Sequence, residues 1–342
     1  MCSERTSLPG RVQMVDVAAR AGVSLATVDR VINRRKGVKE RTRLQVLDAA
    51  VALGFLGSAD LRALTTSQQP KIVFLLPAGT NPYLRDLGEH LRERVAAQEE
   101  SSPRIRCFFI EGFNAAALAE AIRRNAVWAD GIAFFAIDHP EVREAVAEVA
   151  LKGVKLVTIV SDLGHADCDA YVGHENRSVG RTAGLLIGRF VNGREGTVAL
   201  VAGSRHYRAH SEREAGFLSI QEELFPHLRL VGMREGHDDS GQNYRHTIAL
   251  LDQNPDLLGI YNVGGSSGGI ARALTERARQ DIVFIGHGLT RDTRNALVEG
   301  AMDAVFNTDP GTLIDRAIDA IQKPDRPVAP MKLEIIFREN LP

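Results

Sequence analysis

The chain has 342 residues, with 42 Lys and Arg against 43 Asp and Glu, and 44% of its residues are hydrophobic. This length allows two or three folding units, and no apolar run approaches the roughly 18 residues that span a bilayer. The three cysteines, Cys2, Cys107 and Cys168, form no C-x-x-C pair, which argues against a disulfide framework or a metal site. The N-terminus lacks the hydrophobic segment of a signal peptide, so we expect a cytoplasmic protein.

Residues 14–33 predict two short helices separated by a turn. The apolar residues from Met14 to Ala21 recur at the i, i+3, i+4, i+7 spacing that lines one helical face. Gly22 stops this helix, because glycine adopts the left-handed conformation without a steric penalty. Ser24 is a suitable N-cap for the second helix. The pattern indicates a helix-turn-helix, although these residues alone are equally typical of any tight helical hairpin.

Charge distinguishes this N-terminal head from the rest of the chain. Residues 1–62 contain 11 Lys and Arg against 6 Asp and Glu, whereas residues 63–342 contain 31 against 37. A basic helical head on an acidic body favours binding to a polyanion. Basic residues cluster at 34–43, directly after the second helix, where they can reach phosphates on either side of a groove. A solvated charged face is the alternative.

Residues 15–33 and 38–55 resemble the DNA-binding head of the lactose-repressor (LacI) family of bacterial regulators. The matching pieces are D-V-A-x-x-A-G-V-S, T-V-x-R-V-I-N and a third helix that ends in L-G-F. The resemblance extends colinearly over the rest of the chain. It implies a helix-turn-helix DNA-binding domain at 12–57, a hinge at 58–70, and an effector-binding and dimerisation domain at 71–342.

In such a head, the start of the second helix faces base edges in the major groove. Leu25 and Ala26 lead that helix and can contact thymine methyl groups, while Arg30, one turn on, can bind guanine. Asp29 stands where the family usually has serine, and its carboxylate either repels phosphate or accepts from a cytosine amino group. The polar residues expected at phosphates are Ser24, Thr27, Asn33, Lys39 and Thr42.

Residues 56–70 change to small and polar types before a proline, which predicts a linker with one short helix at 59–64. In the family, this hinge helix enters the minor groove and a leucine wedges into a base step. Leu64 matches that leucine by position, and such wedges kink DNA. The pair 57–58, Gly-Ser in place of Pro-Asn, and the negative charge of Asp60 depart from the family pattern.

After Lys71, almost wholly apolar runs alternate with helical stretches, which predicts two-lobed, doubly wound parallel α/β architecture with sheets buried on both faces. The strand-like runs are 71–77, 105–112, 131–137, 155–160, 196–203, 257–264 and 281–288, and helical stretches include 83–97, 115–126 and 143–151. The resemblance implies that the two lobes surround a sugar-sized cleft, as in periplasmic sugar-binding proteins. It also implies three interlobe crossings, near 192–196, 288–306 and 322–328.

Ligands of such sheets bind beyond the carboxyl ends of the strands. Asn81-Pro82-Tyr83 resembles the loop in which ribose-type binding proteins stack an aromatic ring on the sugar, although a helix N-cap followed by proline explains it equally well. Arg213 aligns with the arginine that binds sugar hydroxyls across the family; the alternative is a structural salt bridge, for example to Glu175. Ser161 and Asp162 follow the fourth predicted strand, and Asn262 ends another. The family resemblance implies further effector contacts at Glu175, His287, Thr308 and Asp309, although Glu175 is equally typical of a solvated carboxylate at a helix start.

The stretch NVGGSSGG (262–269) follows a strand and precedes a helix, as a nucleotide-binding loop would. It spells neither G-x-G-x-x-G nor G-x-x-x-x-G-K-[ST], so the phosphate hypothesis is weak. Most relatives place an Asn-Asp pair here; Val263 and Gly264 remove that carboxylate, and Asn262 is expected to substitute. The sequence contains no catalytic or metal-binding motif, and no cofactor is expected.

These features favour a cytoplasmic regulator that represses carbohydrate-utilisation genes and leaves a palindromic operator when a small sugar or polyol binds its cleft. A homodimer is expected because one recognition helix covers only a half-site; a tetramer stays open. The alternative is a sugar-processing or nucleotide-dependent α/β enzyme with an incidental helical head, which a turnover assay would reveal.

Overall fold

The computed structural model describes residues 12–33, 35, 37–57, 69–97, 102–164 and 167–342. The chain divides into two compact units, Met1–Gln69 and Pro70–Pro342. In the described part of the chain, no helix combines the length and the hydropathy needed to cross a membrane.

The described part of the N-terminal unit contains the helices α1 (Met14–Ala21), α2 (Leu25–Ile32) and α3 (Glu40–Ala52). Helix α1 ends at Gly22, which has a φ of 66°. Ser24 caps α2, because its side-chain oxygen accepts from the Thr27 N–H at 3.2 Å. Both predicted boundaries are therefore confirmed. Val17, Val28 and Leu47 pack at the centre of the core, and burying each such side chain contributes about 1.5–3 kcal/mol.

The predicted hinge helix at 59–64, including Asp60 and Leu64, lies outside the described residues. The linker at 58–70 therefore stays a prediction.

The first lobe of the C-terminal unit contains a five-stranded parallel sheet of order β2-β1-β3-β4-β5. Its strands are β1 (Lys71–Ala78), β2 (Arg104–Glu111), β3 (Gly131–Phe134), β4 (Lys155–Ile159) and β5 (Ala170–Val172). The helices between them are α4 (Pro82–Ala96), α5 (Ala115–Asn125) and α6 (Pro140–Ala150).

The second lobe contains a six-stranded sheet of order β11-β10-β9-β8-β6-β7, in which only β11 is antiparallel. Its strands are β6 (Gly196–Ala202), β7 (Leu228–Glu235), β8 (Leu257–Asn262), β9 (Val283–His287), β10 (Ala304–Asn307) and β11 (Glu334–Ile336). The remaining helices are α7 (Asn176–Val191), α8 (Arg208–Leu224), α9 (Ser240–Gln253), α10 (Gly268–Glu276), α11 (Arg291–Val298) and α12 (Pro310–Gln322), and a 3₁₀ turn covers Arg338–Asn340.

The predicted doubly wound α/β class is confirmed, with one exception to the predicted burial. The central strands are buried on both faces, but β2 lies at the edge of its sheet. Phe108 and Phe109 on β2 are 37% and 39% exposed. An apolar run in the sequence does not distinguish an edge strand from a central one, because only the neighbours in the sheet decide its burial.

The first predicted crossing, near 192–196, is wrong. Helix α7 already packs on β8, β9 and α8 of the second lobe, and its residues Ala183 and Ile187 belong to that lobe's core. The chain therefore crosses at 173–175, before α7. The periodicity of a helix shows which face is buried, but not which sheet it covers.

The other two crossings also differ from the prediction. Helix α12 follows β10 directly and packs in the first lobe through Leu313 and Ile314, so the second crossing is at 308–309 rather than 288–306. Met331 still packs in the first lobe, whereas Leu333 packs in the second. The third crossing therefore lies at 331–333, beyond the predicted 322–328.

Candidate functional site

The outer face of α2 presents the side chains predicted to contact bases. Val28 and Val31 point into the core of the head, whereas Leu25 is 51% exposed and Ala26 and Arg30 are also exposed. Apolar contact with thymine methyl groups and guanidinium contact with guanine both need such exposed side chains. The surface of α2 is thus compatible with major-groove recognition.

Asp29 differs from its expected role. Its Oδ1 accepts from the Asn33 side-chain amide at 2.7 Å, and its Oδ2 pairs with Arg35 Nη1 at 3.0 Å. The carboxylate charge is therefore offset within the head, so Asp29 is not a free carboxylate facing phosphate or cytosine. The exposed Asn33 amide donates one hydrogen bond to Asp29 and keeps a second N–H, so its phosphate contact stays a prediction.

The other predicted phosphate contacts lie at helix starts. Ser24 Oγ is 2.9 Å from Thr27 Oγ1 and also caps α2. Lys39 precedes α3 and makes no side-chain cap, so its exposed ammonium group is suited to phosphate. Thr42, in the first turn of α3, is partly buried.

A cavity of about 50 Å³ lies between the two lobes of the C-terminal unit. It is lined by side chains from both lobes, among them Tyr83, Phe135, His210, Arg213, Asp238 and His287. Hydrogen bonds from Thr80 and Asn81 to Asp238 span the cleft, so the two lobes are in direct contact beside the cavity. A sugar enters this space only if the lobes separate or the lining side chains rearrange.

Arg213 is the only predicted contact that brings a buried charge to the cavity. It is 5% exposed, its Nε donates to Asn176 Oδ1 at 2.9 Å, and its Nη1 donates to the Val263 carbonyl at 2.8 Å. Both partners are neutral. The alternative of a salt bridge to Glu175 is wrong, because that carboxylate instead accepts from two N–H groups at the start of α7.

Tyr83, His287 and Thr308 also line the cavity, as predicted. The Tyr83 hydroxyl is buried beside the Thr308 side chain. Burial raises the pKa of Tyr83 and lowers the pKa of His287 well below its usual value. His287 Nε2 is 2.8 Å from the Tyr261 hydroxyl, and Thr308 Oγ1 is 2.8 Å from His174 Nε2.

Three predicted contacts are helix N-caps. Asn81 accepts from the Tyr83 N–H at 3.0 Å, Glu175 from the Ser178 N–H at 2.8 Å, and Asp309 from the Thr312 N–H at 2.7 Å. The last two are exposed and do not line the cavity. Local capping explains both, whereas the first combines its cap with a place in the cleft.

Ser161, Asp162 and Asn262 also lie outside the cavity lining. Ser161 Oγ accepts from the Ala209 N–H at 3.4 Å, and Asp162 Oδ1 accepts from the Thr158 hydroxyl at 2.7 Å. The Asn262 amide is buried and binds within the loop that follows it. It is therefore committed to bracing that loop and does not substitute for a ligand-binding carboxylate.

The cavity carboxylate comes instead from Asp238, which sequence reasoning missed. Asp238 follows β7, its Oδ2 accepts from Asn81 Nδ2 at 3.0 Å, and its Oδ1 accepts from the Gly265 N–H at 2.7 Å. The first bond joins the two lobes. If β7 had been predicted as a strand, Asp238 would have been expected near its carboxyl end, where ligands of such sheets bind.

His210 was missed as well. It lies on α8, lines the cavity, and its Nδ1 is 2.8 Å from the Ser204 carbonyl oxygen. Burial lowers the pKa of His210 to about 4. The imidazole is therefore neutral near pH 7.

A helix-turn-helix head and a two-lobed ligand-binding domain in one chain define a ligand-responsive DNA-binding regulator. Comparison with known families agrees: residues 13–58 match "Bacterial regulatory proteins, lacI family", and residues 72–323 match "Periplasmic binding protein domain". The chain therefore carries a LacI-family helix-turn-helix domain at residues 13–58 and belongs, over most of its length, to the periplasmic-binding-protein domain family.

Similar curated proteins include two named HTH-type transcriptional repressor PurR. The one from Pectobacterium carotovorum is 27% identical over 288 residues, which cover 82% of this chain and 81% of that protein. The one from Escherichia coli O1:K1 is 24% identical over 322 residues, 90% of this chain and 91% of that protein. Catabolite control protein A of Streptococcus mutans is 37% identical over 78 residues, only 23% of either chain.

Solved structures share the fold of the sensor. A solute-binding protein from Burkholderia graminis in complex with D-arabinose has a TM-score of 0.71 and 18% identity, over 80% of this chain and 97% of that one. GanP, a glucose-galactose binding protein from Geobacillus stearothermophilus, has a TM-score of 0.70 and 21% identity, over 80% and 99%. At this identity the likeness concerns the fold alone.

Proposed function

We propose that this repressor is a cytoplasmic homodimer that controls carbohydrate-utilisation genes and leaves a palindromic operator when a small sugar or polyol binds between its lobes. The observation that carries the proposal is Arg213, a buried guanidinium that lines the interlobe cavity and is held by neutral partners. A fixed fork of charged N–H donors suits adjacent hydroxyl oxygens. The protein acts by binding, without turnover.

The DNA-binding part of the proposal rests on the head. The exposed Leu25, Ala26 and Arg30 are suited to base edges, and one such helix covers half of a two-fold operator. We assign residues 12–57 to this domain, 58–70 to the hinge and 71–342 to the sensor.

An exposed edge of the first lobe supports the homodimer. Strand β2 ends its sheet, and its aromatic side chains Phe108 and Phe109 are partly exposed. Exposed apolar edge strands are sites of pairing with other chains. A second copy of the chain is the partner that a two-fold operator requires.

Chain connectivity supplies a route from the cleft to the hinge. The hinge leads directly into β1, whose first residue, Lys71, donates its N–H to Asp130 Oδ2 at 2.8 Å. Asn81, three residues after β1, bonds the opposite lobe through Asp238. An effector that changes this contact moves the first lobe, and with it the end of the hinge. Such coupling typically amounts to about 1–3 kcal/mol.

DNA binding by the full-length protein tests the proposal. An operator is first selected from a random-sequence duplex library, and its affinity is then measured over a range of salt concentrations. We expect log affinity to fall linearly with log salt, with a slope of about −0.9 per phosphate contacted. A slope near zero, or turnover of a sugar by the purified protein, would overturn the proposal.

A further inference from the structure

The charges that line the interlobe cavity balance. Among the described residues that line it, Arg213 and Asp238 are the charged ones. His210 and His287 also line it, but burial lowers the pKa of both imidazoles, so they are neutral near pH 7. The cavity therefore offers one positive and one negative group, with a net charge of zero.

The chain builds a specific place for the Asp238 carboxylate. Its backbone is left-handed, with a φ of 52°, a conformation that few residues other than glycine adopt. The Asp238 carbonyl accepts from the Thr80 hydroxyl at 3.1 Å across the cleft, and Oδ1 accepts from the Gly265 N–H at 2.7 Å. The Asp238 carbonyl and Oδ2, which accepts from Asn81, thus both join the lobes, whereas Oδ1 is held by the backbone of its own lobe.

Three glycines, which have no side chain, leave space for the Asp238 carboxylate and its partner. A Cβ atom at Gly264 would lie 2.8 Å from Asp238 Oδ1, and one at Gly203 would lie 2.6 Å from it. A Cβ atom at Gly265 would lie 2.2 Å from Asn81 Nδ2, the group bonded to Oδ2. Gly264 and Gly265, in the stretch 262–269, therefore leave room for the Asp238 carboxylate and its Asn81 partner. This explains the two glycines without a nucleotide phosphate.

The opposite charges of Arg213 and Asp238 favour neutral ligands over negatively charged ones. A sugar acid or phosphate ester would pair with Arg213 but bring its negative charge close to the Asp238 carboxylate in a poorly hydrated space. Opposed like charges cost several kcal/mol in such sites, on the order of a hundredfold or more in affinity. A neutral polyol instead donates to the carboxylate and accepts from the guanidinium.

We infer that Asp238 sets the charge class of the effector, admitting neutral polyhydroxy compounds and rejecting sugar acids and sugar phosphates. This inference rests on the proposed function, because it concerns the effector of the same cleft. It assigns a specificity role to a residue outside the aligned sugar-binding positions.

The test measures binding of paired compounds to the full-length protein by calorimetry. The neutral series contains pentoses, hexoses and hexitols, and the acidic series contains the aldonates and phosphate esters of the same skeletons. We expect the parent protein to bind a neutral compound and to bind its acidic partner at least tenfold more weakly. In Asp238→Asn we expect this ratio to shift by at least tenfold towards the acid.

Two control variants separate charge from the interlobe hydrogen bond. Asn81→Ser keeps an N-cap and the Asp238 carboxylate but removes the bond, so we expect it to keep the neutral preference. The double variant Asn81→Asp/Asp238→Asn restores a bonded Asn-Asp pair and the net charge of the cavity. We expect it to recover the neutral preference that Asp238→Asn loses.

Three results would overturn the inference: a parent protein that prefers the acidic compounds, an unchanged ratio in a folded Asp238→Asn protein, or no binding of either series by the parent. None of them affects binding to the operator. Failure of the proposed function is seen separately, as absence of operator binding or as operator affinity that no cleft ligand changes.

Discussion

Helix α2, the predicted DNA-recognition helix, and the interlobe cleft use their polar groups in opposite ways. On α2, Leu25 and Arg30 face outward, and Asp29 is neutralised by Arg35 from the same head. In the cleft, Asn81 and Asp238 come from opposite lobes and satisfy each other. A helix surface can meet DNA as it stands, whereas the cleft must exchange internal contacts for contacts with a ligand.

This difference teaches which part of the molecule is suited to switching. The cleft contains interlobe bonds from Thr80 and Asn81 to Asp238 that a ligand can replace. The free energy of ligand binding in the cleft depends on how the two lobes are arranged. A ligand shifts the equilibrium between two lobe arrangements only if it binds one of them more tightly than the other. The helical head has one small core, and the side chains predicted to contact bases are exposed and lie outside that core.

The largest effect should come from separating the two regions. Deletion of residues 1–57 should abolish operator binding, by at least about a thousandfold, because it removes the contacts that distinguish specific from non-specific binding. The fragment should keep its sensor fold, since the unit from Pro70 onward is compact by itself. Gel-shift titration measures the first expectation and circular dichroism the second. Operator binding by the fragment would contradict the assignment of α2 as the recognition helix.

Substitution of Arg213 should affect the cleft and spare the head. Hydrogen bonds to charged groups contribute about 1.5–3 kcal/mol each, so Arg213→Ala should weaken effector binding at least about tenfold. Operator affinity without effector should hardly change, because the residue lies in the sensor. Calorimetry and fluorescence anisotropy measure the two quantities.

Arg213→Lys is the matched control, since it keeps the charge and loses the planar fork. We expect it to weaken effector binding as well, although less than alanine does. An Arg213→Ala protein that binds effector as tightly as the parent would remove this residue from the site.

Acid should weaken the sensor through His210. Because burial lowers the pKa of His210 from 6.5 to about 4, the unfolded chain takes up a proton below pH 6.5 that the folded sensor does not. Stability is therefore lost as pH falls from 6.5 towards 4, by about 1–2 kcal/mol at pH 5. Thermal melts at pH 7 and pH 5 measure the loss.

His210→Gln should reduce this acid dependence, although His287 acts in the same direction, because its pKa is lowered too. The exposed His237, which does not line the cavity, provides the matched substitution control. A His210→Gln protein with the parent's full loss of stability between pH 7 and pH 5 would argue that His210 titrates normally.

The smallest effect is expected at Asp29. Exposed ion pairs such as Asp29–Arg35 contribute about 0–1 kcal/mol, so Asp29→Asn should hardly change the melting temperature. Operator affinity should rise by less than about threefold, because one negative charge is removed and Arg35 is released towards phosphate. A loss of tenfold or more in a DNA titration would instead show that the carboxylate contacts a base.

Local chemistry made the head predictable. The end of α1 at Gly22 and the cap of α2 at Ser24 each depend on a few neighbouring residues, and both predictions are confirmed. The alternating sensor was predictable as a fold class for the same reason. Four strands were not predicted: β7 mixes apolar and charged residues along a partly exposed strand, and β5, β10 and β11 are only three or four residues long.

The cleft was predictable only in part, since it depends on contacts between distant loops. Arg213 and Tyr83 line it as the family resemblance implied. Asp238 was missed because its bond to Asn81 joins residues 157 positions apart. Glu175 and Asp309 were assigned to the cleft from the family resemblance, but each caps a helix.

The most direct test of the account is the affinity of the full-length protein for its selected operator, measured by fluorescence anisotropy with and without a neutral sugar or polyol that raises the melting temperature. We expect the ligand to weaken operator binding by about 5- to 150-fold, corresponding to a coupling of about 1–3 kcal/mol, and Arg213→Ala to shift this response to higher ligand concentrations. Operator affinity that stays the same, or increases, at saturating ligand would contradict the claim that the cleft releases the protein from DNA.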